Sequence, residues 1–255
     1  MKKFIKNIPK ISIITVSLNS KKTIKKCIES VINQNYPKNK IEHIIIDGGS
    51  TDGTIEIIKK YKKNIKYWHS KKDKGLYDAM NIGINISKGN IIGILNSDDI
   101  FYKDCFRLVS KYFMIHQIDY LFGSVLKNRV YHNFFPDNIW YTFNIFPAHS
   151  VSFFEKKSTH LINGKYNTKF KYSADRDYIY RLIKNKNLTG ISTRKSEVFG
   201  KFSMHGLSSS VGFLEKNLEE IKIRKNNKQN MLVILSAFLI YLVNYLIKKI
   251  IKSVI

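Results

Sequence analysis

Through roughly its first 120 residues this chain alternates two hydrophobic periods, and that alternation restricts the fold more than any other feature. Four short runs rich in β-branched residues, 11–16, 41–46, 65–68 and 91–95, are separated by longer stretches, 21–34, 54–61 and 76–87, with apolar positions at helical spacing. Runs of the first kind fit buried strands and stretches of the second kind fit helices. Strands that alternate with helices pair in parallel through right-handed crossovers, so this half is expected to be α/β with a mostly parallel sheet. Beyond residue 123 the sequence turns aromatic and irregular, Tyr131 to Phe146 especially. A helix is expected over 174–187 and strands near 149–154 and 197–203, a smaller α+β half completing the same domain. A charged helical stretch at 215–228 and an apolar one at 231–247 follow, and no internal repeat is visible.

Charge narrows the partners less than it first promises. Lys and Arg number 44 against 19 Asp and Glu, a net charge of +25, which points toward nucleic acid or anionic membrane. The lysines are scattered along the whole length, however, and no zinc-finger spacing or aromatic RNA-binding motif accompanies them. Nucleic acid is therefore not expected. With 44% apolar residues the chain is not disordered. Cys27 and Cys105 stand far apart, so neither a disulfide framework nor a CxxC metal site follows, and a reducing cytoplasm is expected. The apolar run after the basic residues 1–10 is too short for a secretory leader. Cys27, Trp68 and Trp140 are assigned to packing.

Parallel sheets bind ligands at the carboxyl ends of their strands, and all four strand ends here are polar. The second runs into Asp47-Gly48-Gly49-Ser50-Thr51-Asp52-Gly53-Thr54, where glycines permit a tight turn and a hydroxyl or carboxylate can cap the next helix. A capped turn and a ligand loop both fit. The fourth ends in Asn96-Ser97-Asp98-Asp99, adjacent carboxylates that suit either a surface turn or a hard divalent cation shared with phosphate oxygens. Between them, on a helix starting near Gly75, Asp78 and Asn81 share a face with Lys74 at the entrance, an arrangement equally compatible with a solvated amphipathic helix. Neither GxGxxG nor GxxxxGK[ST] occurs, which disfavours a dinucleotide fold and a P-loop.

Taken together, Thr15-Val16-Ser17-Leu18-Asn19, the 47–54 run, Asp73-Lys74-Gly75-Leu76-Tyr77-Asp78-Ala79-Met80-Asn81 and Asn96-Ser97-Asp98-Asp99 resemble, in order and spacing, the inverting family-2 glycosyltransferases of bacterial surface-polysaccharide synthesis. The resemblance covers about residues 11 to 205. It implies a GT-A fold, α/β with a mostly parallel central sheet, in which a nucleotide sugar, usually a UDP-sugar, lies across the strand ends. Thr15, Asn19 and Asp47 would border base and ribose, with Asp73, Lys74, Asp78 and Asn81 also on the donor. Asp98 would lie near ribose or sugar, and Asp99 would hold Mg²⁺ or Mn²⁺ on the diphosphate. Many relatives carry two acids where this chain has Asp47-Gly48, so a base contact of the second acid does not carry over.

Inverting transfer also needs a base to take the acceptor hydroxyl's proton. Ser173-Ala174-Asp175-Arg176-Asp177-Tyr178 resembles the family segment carrying it, which places the base at Asp175, with Asp177 as the fallback. An acid stabilised at a helix N-terminus is the plain alternative. His149 resembles a position facing the acceptor, and His205 falls where relatives often have Gly-Gly-x-Ser; a structural histidine is an equal reading of both.

As a helix, residues 231–247 would be about 25 Å long against a hydrocarbon core of about 30 Å. Ile247, Ile250, Ile251 and Val254 then recur at helical spacing among Lys248, Lys249 and Lys252. A membrane-surface helix, a span and a helix packed on protein all remain open. The expected organisation is a glycosyltransferase domain over 1–210 and a membrane-associated helical tail over 211–255, at the cytoplasmic face of the cell membrane. Activity is expected to be metal-dependent transfer from a nucleotide sugar to a glycan or lipid-linked acceptor. The competing readings are a nucleotidyltransferase on a related sheet and an inactive protein that binds glycan or lipid.

Overall fold

The computed structural model describes residues 8–204 and 212–254. The expected alternation forms β1 (Ile11–Ser17), α1 (Ile24–Ile32), β2 (Ile41–Asp47), α2 (Thr54–Lys60), β3 (Tyr67–Ser70), α3 (Leu76–Ile86) and β4 (Ile91–Asn96). β1 is buried at every position because helices cover both faces of a central parallel strand. Its two interior hydroxyls are satisfied across the sheet: Ser12 Oγ donates to Glu42, and Thr15 Oγ1 lies 2.9 Å from His43 Nε2. Gly83 lets α3 settle onto β1, since a Cβ there would stand 2.4 Å from Ile14 Cγ2.

Further along come β5 (Ile100–Phe101), α4 (Cys105–Ile115), β6 (Tyr120–Phe122), β7 (Ser124–Leu126), β8 (Val130–Tyr131), β9 (Phe153–Lys156), α5 (Lys157–Asn163), α6 (Ala174–Lys184), β10 (Gly190–Ser192) and β11 (Val198–Lys201). The main sheet has seven strands in the order β10-β6-β9-β4-β1-β2-β3. It is parallel from β3 through β4 and between β6 and β10, and β9 runs antiparallel between β4 and β6. A second sheet, β5-β11-β7-β8, has four strands. The sequence reading assigns no element to Cys105–Ile115, yet Cys105, Phe106 and Val109 there form a buried helical face. The strand expected at 65–68 is shifted to Tyr67–Ser70, with Ile65 packed into the core just ahead of it.

Helices α7 (Phe213–Asn226) and α8 (Met231–Val254) end the described chain. Ile223 of α7 shares a buried cluster with Phe143, Tyr178 and Tyr180, so α7 is packed onto the body of the protein. Ile234 and Ala237 of α8 are buried, whereas Leu232, Leu235, Leu239, Ile240 and Val243 are exposed. Among the described residues no helix is long and apolar enough to cross a membrane.

Candidate active site

The register of the parallel strands sets Ser17 beside Asp47, Asp47 beside Ser70 and Val16 beside Asn96, so their carboxyl ends open onto one crevice. Asp47 is wholly buried there. Its Oδ1 accepts from the hydroxyls of Ser17 and Ser50, both at 2.6 Å, and its Oδ2 accepts from Ser70 Oγ at 2.6 Å and from the amides of Ser50 and Gly49 at 2.8 and 3.1 Å. Burial alone would raise its pKa, but these donors outweigh it and hold the carboxyl below its ordinary range. Both Asp47 oxygens are thus engaged in organising the loop. Gly49 and Gly53, at φ +90° and +96°, take the left-handed conformations that this loop requires.

Two other residues expected on the donor, Thr15 and Asn81, and Asp177, expected as the fallback base, are likewise engaged within the protein. Thr15 is buried and bonded to His43, one turn of the pleat below the crevice. Asn81 is spent on a reciprocal pair with the Tyr166 backbone, donating to its carbonyl at 2.9 Å and accepting from its amide at 3.0 Å. Asp177 is 3% exposed, ion-paired with Arg181 at 3.0 Å and bonded to Asn227 at 2.9 Å, on the opposite side of α6 from Asp175. Two residues of separation rotate a helix by about 200°, so the two acids cannot serve one site.

The remaining candidates stay at the crevice. Asn19, exposed and at φ 49°, accepts from the Thr51 amide, and its own amide donates to Ser50 Oγ, locking the β1 loop onto the β2 loop. Ser20 and Ser97 hydroxyls meet at 2.6 Å and join the β1 and β4 loops. Asp73 accepts from the Gly75 amide and lies so near Gly48 that a Cβ there would be 3.0 Å from its Oδ2. Asp78 accepts from the Lys74 amide at the start of α3. Asp98 is half-buried beside Asp99.

Asp99 is 1% exposed; its Oδ1 accepts from the Ser203 amide at 2.7 Å, while Oδ2 is buried without a hydrogen-bond partner among the described residues. Burial, only partly offset by the Ser203 amide, and then the neighbouring Asp98 charge raise its pKa to about 7. A hard divalent cation would satisfy such an unpaired buried carboxylate oxygen. Among the described residues no group of three His, Cys, Asp or Glu side chains converges to hold a metal unaided. The arrangement therefore fits a cation such as Mg²⁺ or Mn²⁺ that completes its shell with substrate phosphate and water. Lys127, which no motif singles out, also acts here. Its ammonium sits 4.7 Å from the Phe202 ring centroid and 5.1 Å from that of Tyr131, and burial lowers its pKa while Asp99 raises it.

Asp175 lies in the first turn of α6. Its Oδ1 accepts from the Tyr77 hydroxyl and the Arg176 amide, each at 3.0 Å. His149 stands nearby, buried, with Nε2 2.7 Å from the Tyr166 hydroxyl and its ring stacked on Phe153. Burial lowers the His149 pKa, opposed by the Asp175 charge, so it is a neutral ring at pH 7. His205 lies outside the described residues. The sequence reading also passed over Tyr77, whose place in the 73–81 run was its only signal.

A family model described as Glycosyl transferase family 2 matches residues 12–179. An uncharacterized glycosyltransferase of Mycobacterium tuberculosis is 40% identical over 93 residues, 36% of this chain and 35% of that protein, so the match spans about a third of its length. The PGL/p-HBAD biosynthesis glycosyltransferase of Mycobacterium bovis is 29% identical over 189 residues, 71% of this chain and 72% of that one. Residues 1–349 of S. aureus TarS in complex with UDP superpose with a TM-score of 0.66 at 18% identity, over 84% of this chain and 64% of that one. The mannosyltransferase PcManGT from Pyrobaculum calidifontis, in complex with GDP-Man and Mn²⁺, does so with a TM-score of 0.67 at 15% identity, over 88% and 65%.

Proposed function

The chain belongs to glycosyl transferase family 2 and has the GT-A fold, and on that premise we propose that it transfers a sugar, with inversion, from a UDP-sugar to a hydroxyl of a glycan or lipid-linked acceptor. The observation that carries this reading is the unpaired Oδ2 of Asp99 at the end of β4, with the Lys127 charge acting on it, in a protein whose Asp175 is tied to the start of α3 through Tyr77. Complexes of fold neighbours with UDP and with GDP-Man and Mn²⁺ support a nucleotide sugar as donor.

In this reading Asn19, Asp73, Lys74, Asp78 and Asp98 border the donor, and Asp99 holds the divalent cation. The cation, when bound, neutralises charge developing on the departing diphosphate. Asp175 accepts the acceptor's hydroxyl proton as that oxygen bonds to the anomeric carbon. The bond from the anomeric carbon to the diphosphate oxygen breaks, and its electron pair leaves with the nucleoside diphosphate. Neutral His149 lines the acceptor side without exchanging a proton.

The tail, residues 211–255, supports placement at the inner face of the cell membrane. The exposed leucines of α8 would enter the interface.

A panel of UDP-, GDP- and dTDP-sugars with Mn²⁺ tests the reading. The correct donor at 100 times its Kd stabilises the protein by about 2.7 kcal/mol, and nucleoside diphosphate is released in a reaction that EDTA stops. Release of pyrophosphate, or vesicle binding without turnover of any donor, would overturn it.

A further inference from the structure

Helix α7 brackets Asp175 on both sides. Ahead of it, the amides of Lys171 and Tyr172 donate to the Glu219 carboxylate at 2.7 and 3.0 Å. Behind it, Arg176 Nη1 donates to Glu220 Oε2 at 3.1 Å, and the Asn227 side chain donates to Asp177 at 2.9 Å. Glu220 is itself fixed by Arg224 at 3.0 Å. Arg224 is 1% exposed, donates to the Trp140 carbonyl and the Gln229 side chain at 2.8 Å each, and lies 4.4 Å over the Phe143 ring. Residues 220, 224 and 227 fall on one face of a helix, so a single rigid element supplies most of the bracket.

The start of α6 has no side-chain cap of its own. What orients Asp175 is the pair of donors on its Oδ1, the Tyr77 hydroxyl and the Arg176 amide, and Tyr77 is also 3.1 Å from the Tyr172 carbonyl oxygen. Tyr172 and Arg176 are therefore both partners of the Asp175 site and residues that α7 holds. Among the described residues no hydrogen bond reaches Asp175 Oδ2, which leaves that oxygen for an acceptor hydroxyl.

We propose that α7 is a positioning element of the transfer reaction, with Glu219 and Glu220 as positioning residues that fix segment 171–176 and thereby aim the Asp175 carboxylate. This rests on Asp175 being the base. It makes the tail part of the reaction centre's support, although no tail residue is placed against the substrate.

The test uses full-length Glu219→Ala and Glu219→Gln proteins. Glu219 is partly exposed, so its loss leaves no buried charge unpaired. Glu219→Ala should lower kcat by about tenfold or more, the scale on which small misplacement acts, with UDP affinity in Mn²⁺ unchanged by calorimetry. Amide hydrogen exchange should rise across 171–177 and stay unchanged in β1 and β4. Glu219→Gln, which keeps one acceptor oxygen, should recover most of both. Unaltered exchange at 171–177 in Glu219→Ala, or a parallel loss of UDP affinity and kcat, would overturn the proposal. Full turnover by Asp175→Asn would remove the base assignment instead. Should no donor be turned over, the exchange measurement still decides whether α7 holds the segment.

Discussion

The Tyr77 hydroxyl lies 3.0 Å from Asp175 Oδ1, joining α3, on the donor side of the crevice, to the start of α6, 98 residues later in the chain. Burial first, and then the Asp175 charge, push the Tyr77 pKa well above the usual phenol range, so this hydroxyl remains a proton donor throughout the working pH range. Tyr77→Phe keeps the ring and removes only the donor. Turnover should fall about tenfold while UDP binding is preserved, at a stability cost of about 1 kcal/mol. Nucleoside diphosphate release, calorimetry and thermal melting measure the three quantities, and unchanged turnover would mean that Asp175 does not depend on this contact.

Asp99→Asn removes the charge behind the unpaired Oδ2 without changing its shape. In the presence of UDP, Mn²⁺ affinity measured by electron paramagnetic resonance should weaken by at least about tenfold, a loss of about 1.4 kcal/mol. Equal Mn²⁺ affinity in the two proteins would take the cation away from Asp99.

Glu42 offers a pH test away from the crevice. It is 2% exposed and accepts from Ser12 Oγ at 2.5 Å, the Lys88 amide at 2.6 Å and Lys10 Nζ at 3.1 Å. Burial raises its pKa, but these three donors together carry it below the ordinary glutamate value. A carboxyl with a depressed folded pKa stabilises the protein above its unfolded pKa of about 4.3, and loses that contribution as pH falls through the folded value. Glu42→Gln should therefore cost about 1–3 kcal/mol at pH 7. The gap from the parent should narrow below about pH 4. Urea titrations at several pH values follow the gap; a constant difference would mean the charge does not matter.

Arg224 is the largest fully buried side chain, and it holds α7 to the 139–143 segment. Arg224→Ala leaves Glu220 with Arg176 as its one remaining cation among the described residues. Removing one partner of a buried pair costs about 3–5 kcal/mol, read as a lower urea midpoint at unchanged slope. A shift below about 1 kcal/mol would mean that the contacts are solvent-compensated.

Leu235 and Leu239, 52% and 58% exposed on α8, are the residues to change for the membrane surface. Replacing both with Ser should weaken sedimentation with vesicles containing anionic phospholipid by at least about tenfold, because each buried leucine contributes about 1.5–3 kcal/mol. Undiminished binding would place the contact elsewhere.

Much of the donor half is legible in the sequence. Hydrophobic period is a local property, so the runs at 11–16, 41–46 and 91–95 became β1, β2 and β4 with little change, and the polar residues after them had to meet at one sheet edge. The second half was harder because β9 is antiparallel within a mostly parallel sheet, and β7 and β11 join strands more than 70 residues apart in sequence. Nothing periodic records such pairings.

The α/β order, the family resemblance and the acidic strand ends are all legible in the linear chain. Which polar groups are already satisfied emerges only on packing. The hydrogen-bonding groups of Asp47, Asn81 and Asp177 are taken up by Ser17, Ser70, Tyr166, Arg181 and Asn227. Asp99 keeps one oxygen unpaired among the described residues, the Lys127 charge acts on it, and Asp175 is held by Tyr77 and the Arg176 amide. A side chain's chemistry depends on its unsatisfied capacity, and that capacity is set by neighbours which only the packed chain brings within 3 Å or so.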